Sequence, residues 1–233
     1  VTDVVTVEVR DSVAVIRLDD GKVNALSLDM IAALEEALTS APGTADAVVL
    51  TGRPGCLTAG LDRSIMLGAD RAAVSGNLRR VTRIYQKIMN LPVPNVVACT
   101  GHALAAGALL LLVADARIGA RVPSKIGLNE VRIGLPLFPL AVASARARLR
   151  STAFLRSTLE GEVYDWAAAA DVGYLDRVVE EDQLLGVAVE HAARLGRCDR
   201  SAYLATRELV FAPVIAEVEQ ALGRKARQAP TPG

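Results

Sequence analysis

Two stretches of this chain hold residues whose types and spacing suit chemistry. In IGLNEVRIGLP (126–136) one carboxylate, Glu130, stands among Ile126, Leu128, Val131, Ile133 and Leu135. Apolar neighbours disfavour the charged form of an acid and raise its pKa, which suits a group that must take up and release a proton near neutrality. In GHALAAGALLLLVAD (101–115) the small residues Ala105, Ala106 and Gly107 open a greasy run. If a helix begins near Ala105, the N–H groups of its first turn have no partners within the helix, and the aligned peptide dipoles make that end partly positive. A ligand oxygen can come close there and be held by backbone donors. A second donor is the N–H of Leu61 in TAGLD (58–62), where Gly60 permits an unusual turn. Two N–H groups on one carbonyl oxygen would stabilise the enolate formed when a neighbouring carbon loses a proton. Plainer readings stand beside these: both glycine segments as ordinary strand-to-helix turns, and Glu130 as an exposed acid at a strand end.

Other polar residues carry less. His102 follows the turn glycine, and packing is the role expected of it, although histidine is a versatile base. His191 lies in a late, polar-faced helix and is expected to be solvated. Asp115 is read as fixing the chain after the buried run, and Asp62 as capping the following helix. The cysteines, Cys56, Cys99 and Cys198, have no paired spacing. They fit reduced thiols in a cytoplasmic protein and make neither a disulfide frame nor a zinc site.

The elements that must position these residues follow from periodicity. VVTVEV (4–9) and VAVIRL (13–18) predict an antiparallel hairpin. Ser27 predicts a capped helix over about residues 28 to 40, with Ile31, Leu34 and Leu38 on one face. AVVL (47–50) and NVVACT (95–100) are buried strands, each followed by a glycine turn and expected to lead into a helix; residues 70 to 90 also read as helical. Such alternation predicts an α/β domain with largely covered sheets. From about residue 138 the chain reads as helical nearly to its end, with Val178 and Val179 a short strand.

Composition removes several classes. Lys plus Arg equal Asp plus Glu at 26 each, so no net field draws the chain to nucleic acid or to an acidic membrane surface. Aromatic residues at 3% leave few platforms for stacked bases. The apolar run 103–114 is well short of the roughly 20 residues that a bilayer demands. VTDVVTVEVR lacks the basic start and apolar run of a signal peptide, so export is not expected. Phosphate-loop, GxSxG and HExxH patterns are absent.

Taken in order, GKVNAL (21–26), VVLTG with TAGLD (48–62), GHALAAGALLLLVADARI (101–118) and IGLNEVRIGLP (126–136) resemble the signature segments of the crotonase, or enoyl-CoA hydratase/isomerase, superfamily. With YLDRVV they cover roughly residues 4 to 180. The resemblance implies an α/β fold, a ββα spiral core over residues 1–195, and a C-terminal helical segment with its tail over 196–233 that builds a homotrimer or a pair of trimers. It implies an acyl-CoA thioester as substrate and no cofactor beyond the coenzyme A that the substrate carries. The oxyanion donors would be the N–H groups of Leu61 and Ala106. Backbone of Ala25, Leu26 and Ala59 would lie near the adenine and pantetheine. Arg224 and Lys225, with Arg227, would meet CoA phosphates, although basic residues at a helix C-terminus are also favoured by the helix dipole alone.

Hydratases of the superfamily hold water between two glutamates. Here the first position is Leu109 and the second is Glu130. A one-carboxylate site resembles the enoyl-CoA isomerases, which lift a proton from C2 and return it at C4 with a single base. PLFPLAV (136–142) replaces the GAGG of many hydratases and gives a bulkier, more apolar lining. A hydratase working on one glutamate and a non-catalytic acyl-CoA binder are the competing expectations.

Overall fold

The computed structural model of the chain describes residues 3–62, 65 and 71–228, the side chains of 71–75 and 222–228 excepted. It opens with the expected hairpin, β1 (Val5–Arg10) and β2 (Val13–Leu18), antiparallel with Arg10 opposite Val13. Asp11 and Ser12 both take positive φ, 48° and 62°, the backbone that a two-residue hairpin turn needs to match strand twist. Helix α1 (Leu28–Ser40) starts where Ser27 accepts the Met30 N–H, and buries Ile31, Leu34 and Leu38.

Then follow β3 (Ala47–Thr51), β4 (Gly55–Thr58), α2 (Arg71–Met89), β5 (Asn95–Cys99), β6 (Gly101–Leu104), α3 (Ala106–Val113), β7 (Ala116–Ala120) and β8 (Ile126–Gly127). After a 3-10 turn at Glu130–Ile133 come α4 (Pro139–Arg148), α5 (Ser151–Thr158), α6 (Trp166–Val172), β9 (Arg177–Val179), α7 (Leu184–Gly196) and α8 (Arg200–Gln228). The main sheet has the order β1-β2-β3-β5-β7-β9, all parallel after the hairpin, and a smaller sheet runs β4-β6-β8.

The period of two divides the apolar strands between two cores. Val13, Val15, Val49, Val96 and Ala98 face α7, which covers them with Leu184, Ala188 and Ala192. Ala14, Ile16, Val48, Leu50, Val97 and Cys99 face the larger core that holds α1, α2 and α3. A parallel sheet covered on both faces needs apolar residues at every position, hence the unbroken runs.

Two expectations are corrected. Neither buried strand leads straight into a helix: each passes first into a strand of the small sheet, β4 after β3 and β6 after β5. GHAL belongs to β6 because buried Gly101 and Ala103 alternate with half-buried His102 and Leu104, leaving eight fully buried residues for α3. The C-terminal third is also more broken than expected. Gly173 in the left-handed region stops α6 and lets the chain return to the main sheet as β9, where Val178 and Val179 lie as anticipated. Helix α8 docks on α4, burying Phe211 and Val214, and Arg207 reaches beneath it to the Leu91 and Val93 carbonyls. Among the described residues no helix is long and apolar enough to cross a membrane.

Candidate active site

The segment from Asp20 to Leu26 is laced to the end of β4. The Asp20 carboxylate accepts the N–H groups of Lys22, Asn24 and Ala25. Asn24, fully buried with φ of 52°, donates its amide to the carbonyls of Leu18 at 2.9 Å and Leu57 at 3.1 Å. Ala59 N–H then donates to Val23 O at 2.9 Å, Leu26 N–H to Gly60 O at 2.9 Å and Asp62 N–H to Leu26 O at 3.3 Å. Ala25, Leu26, Ala59 and Leu61 therefore form one backbone rim, with Leu26 and Leu61 paired across it.

The first turn of α3 is pressed against that rim. Gly60 has φ of +98°, and a Cβ there would lie 2.8 Å from Leu104 O and 3.5 Å from Ala106 N. A Cβ on Gly107 would lie 2.6 Å from Thr58 O. Glycine is needed at both places by close approach, and at Gly60 by its backbone angle as well. The peptide bearing the Leu61 N–H thus adjoins the one bearing the Ala106 N–H. Among the described residues neither N–H meets a protein acceptor. Ala105, between strand and helix, takes φ of 50° and ψ of −118°, a strained backbone for a residue with a Cβ. It is held by its N–H to Gly127 O at 2.9 Å and by Leu109 N–H to its own carbonyl at 3.2 Å. Arg148 donates to the Leu112 and Ala114 carbonyls at the other end of α3, a cation placed where the dipole favours one.

Glu130 opens the 3-10 turn after β8 and is 5% exposed. Its Oε2 has no hydrogen-bond partner among the described residues. Burial pushes its carboxyl up to about 7, against a smaller lowering by its own backbone N–H. It is therefore no surface acid at a strand end. Its charge is also felt by two buried phenols, Tyr85 of α2 and Tyr174 after α6, both of which burial holds well above the usual tyrosine range. Leu109 on α3 is fully buried. Phe138 and Leu137 of the apolar stretch pack on the same core, and Leu140 and Ala141 are buried in it.

The remaining candidates fall to structural roles. His102 Nδ1 accepts the Lys125 N–H at 2.9 Å. Half-buried His191 contacts Arg194 through Nδ1 at 3.0 Å. Asp115 accepts from Asn95, Tyr203 and Arg207. The helix cap expected of Asp62 falls on residues outside those described, as do the side chains of Arg224, Lys225 and Arg227. Two residues of evident importance escape sequence reasoning. Asn24 sits in the quoted GKVNAL, where buried asparagine in a loop was a usable signal; Tyr85 lies in a helix with no motif around it.

Residues 8–228 match the profile of the enoyl-CoA hydratase/isomerase family. Human mitochondrial enoyl-CoA delta isomerase 1 is 30% identical over 190 residues, 78% of this chain and 62% of that protein, so the chain spans less than two thirds of that relative's length. A putative enoyl-CoA hydratase of Thermus thermophilus is 29% identical over 207 residues, covering 86% of this chain and 81% of the relative. The crystal structure of an enoyl-CoA hydratase/isomerase family protein from Pseudomonas syringae superposes with a TM-score of 0.90 at 36% identity, covering 98% of this chain and 99% of the other.

Proposed function

The chain belongs to the enoyl-CoA hydratase/isomerase family, and from that premise we propose that it moves the double bond of an enoyl-CoA from C3 to C2. Glu130 takes a proton from C2 as a carboxylate. The electron pair delocalises onto the thioester oxygen, which the N–H groups of Leu61 and Ala106 hold as an enolate. Glu130 then returns the proton at C4, and the double bond comes to rest between C2 and C3. Nothing is gained or lost overall, so one base that reaches both carbons suffices. The backbone of Ala25, Leu26 and Ala59 takes the adenine and pantetheine.

The observation that carries this reading is a buried carboxyl that burial pushes up to about 7, with one oxygen unpartnered among the described residues. A hydratase would need a second acid to hold water, and position 109 is a fully buried leucine. Incubation with a 3-enoyl-CoA and, separately, with a 2-enoyl-CoA tests it. The expected result is isomer from the first and negligible 3-hydroxy product from the second. Hydration at a rate comparable to isomerisation would give the one-glutamate hydratase the lead, and turnover of neither would leave a binder.

The working unit in this reading is a cytoplasmic trimer or pair of trimers. Exposed Leu209, Val210 and Ile215 on α8 supply apolar surface for association. Mass by light scattering at micromolar concentration checks it, and a clean monomer contradicts it.

A further inference from the structure

We infer that Tyr85 is a positioning residue for the oxyanion donor at Ala106, an inference that rests on the isomerase reading of the same site. Its hydroxyl donates to the Ala106 carbonyl at 2.9 Å, and its side chain is fully buried. The ring comes from α2, so the bond ties a separate element to the first residue of α3. That residue needs the tie. A helix N-terminus frays when its first residues lack partners, and here the residue ahead of it, Ala105, is in a backbone region that side chains avoid. Strain of that kind persists only where surrounding contacts over-determine it. Gly127 O holds Ala105 from the β8 side, and Tyr85 holds Ala106 from α2.

The phenol is suited to this and to little else in the reaction. Burial and the Glu130 charge both disfavour its ionised form, so it stays a donor at every working pH. Its proton goes to the Ala106 carbonyl, while Glu130 Oε2 is left without a partner. Tyr85 therefore acts on the placement of an amide and leaves the acid free to take and give a proton.

The test reads the thioester itself. Binding of a 2-enoyl-CoA carrying carbon-13 at C1 is followed by infrared difference spectroscopy in the wild type and in Tyr85→Phe. Two amides aimed at the carbonyl shift its stretch to lower frequency in the wild type. In Tyr85→Phe at least half of that shift is lost, and kcat for isomerisation falls about 10-fold, with KM within twofold and the pH limb near 7 unmoved. A structural role alone would leave the carbonyl band of the folded, ligand-bound fraction where it was. An equal shift in both proteins overturns the inference and leaves the isomerase reading intact. No shift in the wild type overturns the oxyanion site, and the inference with it. If Tyr85→Phe does not fold, 3-fluorotyrosine placed at position 85 serves instead: the stronger donor keeps or deepens the shift, and weakening of the band shift contradicts the role.

Discussion

Asp115 and Glu130 are two acids buried to almost the same degree, and the protein treats them in opposite ways. The Asp115 carboxylate collects the Asn95 N–H, the Asn95 amide, the Tyr203 hydroxyl and the Arg207 guanidinium. Burial raises its pKa, while Arg207 and these hydrogen bonds pull it back. Glu130 is also raised by burial, but among the described residues no cation offsets it and one oxygen is unpartnered. The first acid is a fastener at the junction of β5, β7 and α8. The second is held ready to change its protonation. Burial alone does not separate the two roles; the number and sign of partners does.

The comparison can be broken most severely at the fastener. Asp115→Ala leaves Arg207, only 8% exposed, without its counter-charge, and removing one partner of a buried ion pair costs roughly 3–5 kcal/mol. Urea unfolding should register a loss of that size, with α8 loosening first in hydrogen exchange.

Glu130 should show the reverse sign. An acid raised from 4.5 to about 7 on folding costs nothing below pH 4.5, where both states are protonated. Between 4.5 and 7 the unfolded chain ionises and the folded one resists, so stability falls as pH rises; above 7 the full cost stands. At about 1.36 kcal/mol per pKa unit that cost is about 3 kcal/mol. Glu130→Gln lacks it, so its unfolding free energy relative to wild type should rise across that window by up to about 3 kcal/mol. A flat difference between the two proteins from pH 4 to 8 would contradict the raised carboxyl.

Next in size is the chemistry. Glu130→Gln should keep acyl-CoA binding and lose at least ~100-fold in isomerisation, or about 2.7 kcal/mol of barrier. Wild-type kcat should climb with pH through about 7 as the base ionises, and the variant's remnant should not. Activity within a few fold of wild type would move the base elsewhere.

The same two regions show how much the sequence discloses. IGLNE placed Glu130 just after Ile126 and Leu128, both of which are buried, whereas Val131 and Ile133 on its other side are exposed, so the apolar pattern pointed to burial through only half of its members. TAGLD and LAAGA marked the place where one backbone approaches another, because glycine and alanine are conspicuous there. Asp115 was legible as a fastener, whereas its partners Tyr203 and Arg207 lie some 90 residues away on α8 and carry no local signal. Strands β4 and β6 were absorbed into turn and helix, since four residues alternating with a glycine are too short to display a period of two against a greasy helix. Tyr85 was invisible for a related reason: its role depends on a hydrogen bond from α2 to α3, and helical spacing alone reports it as core.

The smallest expected effect sharpens the contrast from the other side. Leu109→Glu puts a second carboxyl at a fully buried position, and such an acid must stay protonated or find partners. A gain in hydration of at most a few fold is expected, measured as 3-hydroxyacyl-CoA from a 2-enoyl-CoA, together with a lowered Tm. Robust hydration would show that the leucine alone excludes water chemistry.

The central claim is that a lone, dry carboxyl carries a proton from one carbon of the substrate to another. It is tested most directly with a 3-enoyl-CoA deuterated at both C2 positions, turned over in ordinary water and stopped early. Mass spectrometry of the 2-enoyl product should find deuterium at C4 in a substantial share of molecules, because Glu130 shielded from solvent returns what it took. Product with no deuterium at C4 would mean that the proton passes through water, and the account of Glu130 as a shielded carrier would fail.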